Sequence, residues 1–300
     1  MEPILELTDV RKSYGDFQAV SGVSMAVPPG SIFGLLGPNG AGKTTTIRMI
    51  MDIIAPDSGE IRFFGKPRVA SDLLRIGYLP EERGLYRKMT VSDQLMFLAE
   101  IRGLKRRDAA PEIERWLERF ELASWGKKKI EELSKGMQQK VQLIGTVLHK
   151  PEILILDEPF SGLDPLNQEM FREFLVESRQ QGKSVLFSTH GMELAERMCD
   201  HICLISNGRA VLTGELQTIK RRLSNNSFRL VAEGDLAGLA KVAGVEQVLV
   251  QDRGAKLLLA PDAEGASVLR QIVQLVNVRE FRSEEPELEE IFIKAVRDAA

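Results

Sequence analysis

Eight consecutive residues, Gly37-Pro38-Asn39-Gly40-Ala41-Gly42-Lys43-Thr44, have the types and spacing to grip a phosphate. They fit the pattern G-x-x-x-x-G-K-[ST], a phosphate-binding loop. Its glycines let the backbone curl so that successive N–H groups converge on phosphate oxygens. A helix leaving such a loop adds its positive N-terminal end. Lys43 reaches β- and γ-phosphates in such a loop, and the Thr44 hydroxyl is a ligand for Mg²⁺. A second chemical centre, Asp157-Glu158, lies about 110 residues further on. Asp157 is suited to hold Mg²⁺, directly or through water. Glu158, one residue on and so on the other side of a strand, is suited to polarise an attacking water. Two buried carboxylates with no metal between them would be costly.

These residues need elements to position them. A strand-like run, residues 31–36, enters the glycine loop, and a helix-like run, residues 45–53, leaves it. The run Ile153-Leu154-Ile155-Leu156 is apolar without alternation, which suits a strand buried on both faces of a parallel sheet. Carboxylates at its C-terminal end emerge where ligands bind in open α/β sheets. A third stretch, Leu133-Ser134-Lys135-Gly136-Met137-Gln138-Gln139-Lys140, opens a helix expected to run through Leu148. Ser134 is its expected N-cap, and Gly136 permits close backbone approach.

Placed about a dozen residues ahead of the Asp157 strand, this third stretch resembles the signature motif of ATP-binding-cassette (ABC) ATPases. Further pieces follow in the family's order. Tyr14 stands where that family has its adenine-stacking aromatic. Ser161-Gly162-Leu163-Asp164 resembles the D-loop, and His190 in Ser188-Thr189-His190 resembles the switch histidine. The likeness covers about residues 4–222. It implies ATP and Mg²⁺ as cofactors. It implies a nucleotide site built from Tyr14, the loop from Gly37 to Thr44 with Thr45, Glu81, Ser134 and Gly136. Thr44, Glu81 and Asp157 would serve the metal; Glu158 and His190 would be catalytic. Two copies, or this chain and a paired ATPase subunit, would close head-to-tail, each signature facing the other's phosphate loop.

Three positions depart from the family's pattern. Glu81 stands where glutamine is usual after Ile76-Gly77-Tyr78-Leu79-Pro80, and Lys135 and Met137 replace commoner glycine and glutamine. A charged oxygen at Glu81 is a harder ligand that Mg²⁺ should accept.

Composition narrows the function. Forty Lys+Arg balance 43 Asp+Glu, so no charged tail proposes nucleic acid as a partner. The basic groups 105–107 and 220–222 read as solvated faces. Cys199 and Cys203 lack further ligands at metal spacing and read as buried thiols in a reducing compartment. His201 reads as a sheet-edge residue. His149 reads as facing the C-terminal carbonyls of its helix. No apolar stretch approaches the roughly 18 residues of a membrane span, and no signal-peptide pattern opens the chain. The expectation is a cytoplasmic protein, peripheral on the inner face of the cell membrane, whose integral-membrane permease is a separate chain. The resemblance implies an ATPase that powers a transporter, in its C-terminal extension an exporter. The alternative is a soluble ABC ATPase acting on ribosomes or DNA. Against it stand a single cassette, the short spacing from Lys43 to Asp157, and the lack of sustained heptads or zinc-spaced cysteines.

Along the chain, residues 4–33 read as an antiparallel β start, and residues 91–122 as the helical subdomain that carries the signature. There Leu95, Leu98 and Ile101, then Ile113, Leu117 and Phe120, have helical spacing, and Trp116 reads as core. Ser224-Asn225-Asn226-Ser227 is a polar break, which places domains at 1–223 and 228–300. The second reads β-α-β-β-α-β, with a hairpin turning at Asp252-Arg253-Gly254, an order that fits a ferredoxin-like unit. The expected fold is α/β: a P-loop ABC-ATPase domain with a β subdomain and a helical signature subdomain, followed by a small α+β ferredoxin-like domain.

Overall fold

The structure, a computed structural model, describes residues 2–82, 84–223, 226–251 and 254–298. Ser224, Asn225 and the turn residues Asp252 and Arg253 lie outside them. The chain forms two compact units that meet at Glu215/Leu216.

The first unit opens with β1 (Leu5–Tyr14) and β2 (Phe17–Val27), an antiparallel pair, followed by β3 (Ile32–Leu36), α1 (Lys43–Ile50), β4 (Ser58–Phe63) and β5 (Lys66–Pro67). Then come β6 (Ile76–Leu79), α2 (Val91–Ile101), α3 (Arg106–Arg119), α4 (Lys135–Val147) and β7 (Ile153–Leu156). The unit closes with α5 (Pro165–Gln180), β8 (Ser184–Thr189), α6 (Met192–Met198), β9 (His201–Ser206) and β10 (Arg209–Glu215). One sheet runs β2-β1-β4-β5; the other runs β10-β9-β3-β8-β7-β6, with only β10 antiparallel. Every residue of β3, β7 and β8 is buried, as unalternating apolar strands covered on both faces must be. A core of Leu5, Val20, Phe33, Ile47, Ile155 and their neighbours joins the antiparallel sheet, α1 and the parallel sheet.

Helix starts follow their capping residues. Thr90, Ser134 and Asp164 each accept an N–H from the first turn of α2, α4 and α5, and Pro165 opens α5. Helix α1 stops at Ile50 rather than 53, because Asp52 turns left-handed at φ 58° and the Ile53 N–H returns to the Arg48 carbonyl. In the helical subdomain Trp116 is only half-buried, stacked on Phe120, and so is not the core residue that spacing suggests; Ile101, on the same spacing, is exposed. His201 opens β9, which is flanked by β3 and β10 and is not an edge. His149 turns away from its own helix, its Nε2 lying 3.0 Å from the Ile76 carbonyl of β6.

The second unit holds α7 (Leu216–Leu223), β11 (Ser227–Glu233), β12 (Val245–Gln251), β13 (Gly254–Leu259), α8 (Gly265–Ile272), β14 (Asn277–Glu284) and α9 (Leu288–Asp298). Helix α7, which the sequence reading places with the ATPase domain, clusters here. Its Lys220 is buried and faces Glu285 at 3.6 Å, so that residue is not part of a solvated basic face. The first helix of the expected β-α-β-β-α-β order is a short 3-10 turn, Ala237–Lys241. The antiparallel sheet order β12-β13-β11-β14 is that of a ferredoxin-like unit, and Leu230, Leu257, Val268 and Ile272 centre its core.

Candidate active site

The glycine loop leaves β3 at the middle of the six-stranded sheet, beside the C-terminal ends of β8 and β7. Gly37 has φ 152°, and a Cβ there would lie 2.2 Å from the Ile205 carbonyl oxygen. Gly42 has φ 107° and would meet the Ala19 carbonyl at 2.6 Å. Any side chain at either position would break the curl. Lys43 is 5% exposed. Its ammonium donates to the carbonyls of Gly37 at 2.7 Å and Pro38 at 3.2 Å, and stands 3.2 Å from Glu158 Oε1.

Both carboxylates emerge beyond the end of β7. Register brings them to one hydroxyl: Leu156 pairs with Phe187, so Asp157 comes level with Ser188 on β8. Ser188 Oγ donates to Asp157 Oδ1 at 2.6 Å and accepts the Glu158 N–H at 2.8 Å. Strand alternation does not place Glu158, because its backbone turns left-handed at φ 47°. Its side chain is held between Lys43 and His190, whose Nδ1 lies 3.1 Å from Glu158 Oε2. Burial raises the Asp157 carboxyl above its ordinary range, against hydrogen bonds from Ser188 and Thr44. Asp157 Oδ2 is buried without a hydrogen-bond partner. An orphaned buried carboxylate oxygen beside a threonine hydroxyl fits a hard divalent cation such as Mg²⁺.

This arrangement of loop, carboxylates and histidine has relatives. Residues 20–161 match the family described as ABC transporter, and residues 214–296 match the DrrA1-3-like C-terminal domain of ATP-binding proteins. The ABC transporter ATP-binding protein YhaQ of Bacillus subtilis is 44% identical over 293 residues, 98% of each chain. The chain belongs to the ATP-binding subunits of ABC transporters. It is an ATPase, and its fold binds ATP. The Nod factor export ATP-binding protein I of Paraburkholderia xenovorans is 34% identical over 275 residues, 91% of this chain and 87% of that one. A solved ATP-binding subunit of an ABC transporter superposes with TM-score 0.68 at 33% identity, over 73% of this chain and 92% of that one.

Among the described residues, the remaining ones expected in this ABC ATPase site make no hydrogen bond or ion pair with the cluster. Tyr14, at the end of β1, is 49% exposed, with Lys12 Nζ 5.9 Å from its ring centroid. Glu81 follows β6, exposed, and no hydrogen bond joins it to Asp157 or Thr44. Ser134 is exposed and its Oγ is 3.3 Å from the Met137 N–H that it accepts. A Cβ on Gly136 would stand 3.0 Å from Asn167 Nδ2, so the close approach is to the first turn of α5. Two further residues join the site through contacts that no local motif marks. Ser188 stands in the sequence only as a neighbour of His190. Gln139 ties the signature helix to the carboxylate loop, its Nε2 donating to the Pro159 carbonyl at 2.5 Å. The sequence signal that could mark Ser188 is a hydroxyl directly after the apolar run Val185-Leu186-Phe187 of β8.

Proposed function

We propose that this chain is the ATP-hydrolysing subunit of an exporter, working on the inner membrane face beside a permease carried on a separate chain. The observation that carries the chemistry is the joined cluster of Lys43, Glu158, His190, Ser188 and Asp157 at adjacent strand ends. Bound phosphates compete with the Gly37 and Pro38 carbonyls for the Lys43 ammonium, and Lys43 thereby also leaves Glu158. Glu158, still held by His190, then orients the attacking water, and His190 contacts the γ-phosphate. Thr44 and Asp157 would hold Mg²⁺, with Glu81 as a further oxygen ligand. The ion supplies neutralisation of charge on the transferring phosphoryl group. Ser188 keeps Asp157 oriented, and Tyr14 stacks on adenine.

Ser134 and Gly136 serve the second ATPase copy. Two chains close head-to-tail on ATP and reopen after hydrolysis, a population shift driven by differential affinity. The exposed position of Ser134, at the N-terminus of α4, supports this reading. Mixing tests it: Ser134→Arg chains and Lys43→Ala chains, each inactive alone, form one intact composite site and regain part of the activity. Full activity of Ser134→Arg alone contradicts shared sites.

Export is supported by the 34% identity to a Nod factor export subunit. No helix among the described residues is long and apolar enough to cross a membrane, so membrane attachment falls to the permease. Fractionation with and without the co-expressed permease tests this. The expected result is membrane association that requires the permease. Ribosome association, or DNA binding that weakens with salt, contradicts it.

A further inference from the structure

Away from the nucleotide residues, α3, the end of α4 and α5 enclose a cleft of about 390 Å³, within the range of small-molecule sites. Its residues Lys150 and Lys183 precede the N-terminal ends of β7 and β8, whereas Asp157 and His190 follow the C-terminal ends. The cleft therefore opens at the opposite edge of the parallel sheet from the glycine loop. Four cations line it: Arg115, Arg119, Lys150 and Lys183.

Three of the four are paired with carboxylates. Arg119 is bound to Glu177, whose Oε1 also accepts from Gln181 at 3.1 Å. Arg115 is bound to Glu112, which Lys150 shares at 3.1 Å. Glu112 and Glu177 thus meet three cations and leave the cluster with excess positive charge. Lys183 is half-buried, and its ammonium makes no hydrogen bond or ion pair among the described residues. Burial lowers its pKa, and the nearby Lys150 charge lowers it further. The wall beside these lysines is aromatic. Trp116 and Phe174 meet edge-on at 5.9 Å, and Trp116 is only half-buried.

We infer that this cleft binds a small organic phosphate with a planar ring, its phosphate between Lys150 and Lys183 and its ring against Trp116 and Phe174. A phosphate rather than a carboxylate follows from the donors that remain. Both planar guanidinium forks are already paired with carboxylates; of the two lysines, compact point charges of the kind that bind phosphate, Lys183 is unpaired among the described residues and Lys150 has only its share of Glu112.

Trp116 is its own reporter. The chain has two tryptophans, so Trp125→Phe leaves Trp116 as the sole emitter. The probe is phenyl phosphate, titrated with the nucleotide site saturated by Mg²⁺ and a non-hydrolysable ATP analogue. The expected result is saturable quenching of Trp116, competition by inorganic phosphate, and affinity weakened at least about tenfold by Lys183→Met. Lys183→Arg should stay within about threefold of wild type, since it keeps the charge. Lys150→Met provides a second, exposed site for the same loss. Unchanged affinity in both methionine variants, or equal saturation by phenol, overturns the site. So does a saturable response to phosphatidylglycerol vesicles with none to phenyl phosphate, which would make the cleft a lipid-surface contact.

Discussion

Ser188 spends one hydroxyl on two partners, donating to the Asp157 carboxylate and accepting the Glu158 N–H, in a strand with no exposed residue. Ser188→Ala therefore strands two buried polar groups at once. The expected loss is about 1–3 kcal/mol in urea denaturation of the nucleotide-free chain, since unsatisfied buried groups forfeit their desolvation. Ser188→Thr, which keeps the hydroxyl, should recover most of it. If the alanine variant is as stable as the wild type, the bridge contributes nothing. The glycine loop, Asp157 and Glu158 were legible in sequence because their chemistry is packed into short contiguous motifs. Ser188 was not, because its partners are set by the pairing of β7 with β8, which no local pattern encodes. Strand alternation is no guide to the side on which Glu158 lies, because its left-handed backbone ends that alternation.

The elements explain why the two thiols are inert. Cys203 lies inside β9 between β3 and β10, and burial pushes its thiol up to about 12, against a hydrogen bond from Thr213. Cys199, at the end of α6, is buried as well, and its thiol is also driven upward, by burial and then by the Asp200 charge. A thiol held above its ordinary value stays protonated and unreactive through neutral and mildly alkaline pH. Alkylation of the native protein at pH 8 should therefore be slower than in urea by at least about a hundredfold. Equal rates would show that β9 opens locally. Strand types were legible here because unalternating apolar runs suit only strands covered on both faces. The position of β9 within the sheet was not, which is why His201 read as an edge residue. Trp116 has helical spacing with its neighbours, but periodicity cannot show that it lines a cleft with Arg119 over its ring.

At the scale of the molecule, the nucleotide motifs and the second core fall in different units. All nucleotide motifs fall within Met1–Glu215, and the second unit has its own sheet and core. A chain truncated after Glu215 should bind ATP with an affinity within about threefold of full length, while a chain truncated after Leu223 carries α7 without the core it clusters with. We expect the longer truncation to be the less soluble, because Leu216 and Ile219 of α7 lose their cover. Calorimetric nucleotide titration of both truncations checks this. A folded Glu215 truncation that fails to bind ATP would mean that the C-terminal unit completes the site. The polar break at 224–227 was visible in sequence, but the boundary eight residues earlier was not, since the apolar face of α7 fits either neighbour equally well as a pattern.

We propose that Glu158, held between Lys43 and His190, orients the water that attacks ATP. The most direct test is the steady-state ATP turnover of Glu158→Gln at saturating Mg²⁺ and ATP, with bound nucleotide verified in the same sample. The amide keeps the shape of the side chain and removes the charge that positions the water, so turnover should fall by about 10²–10⁴-fold while ATP stays bound. Turnover at the wild-type rate in the nucleotide-loaded variant would remove Glu158 from that role.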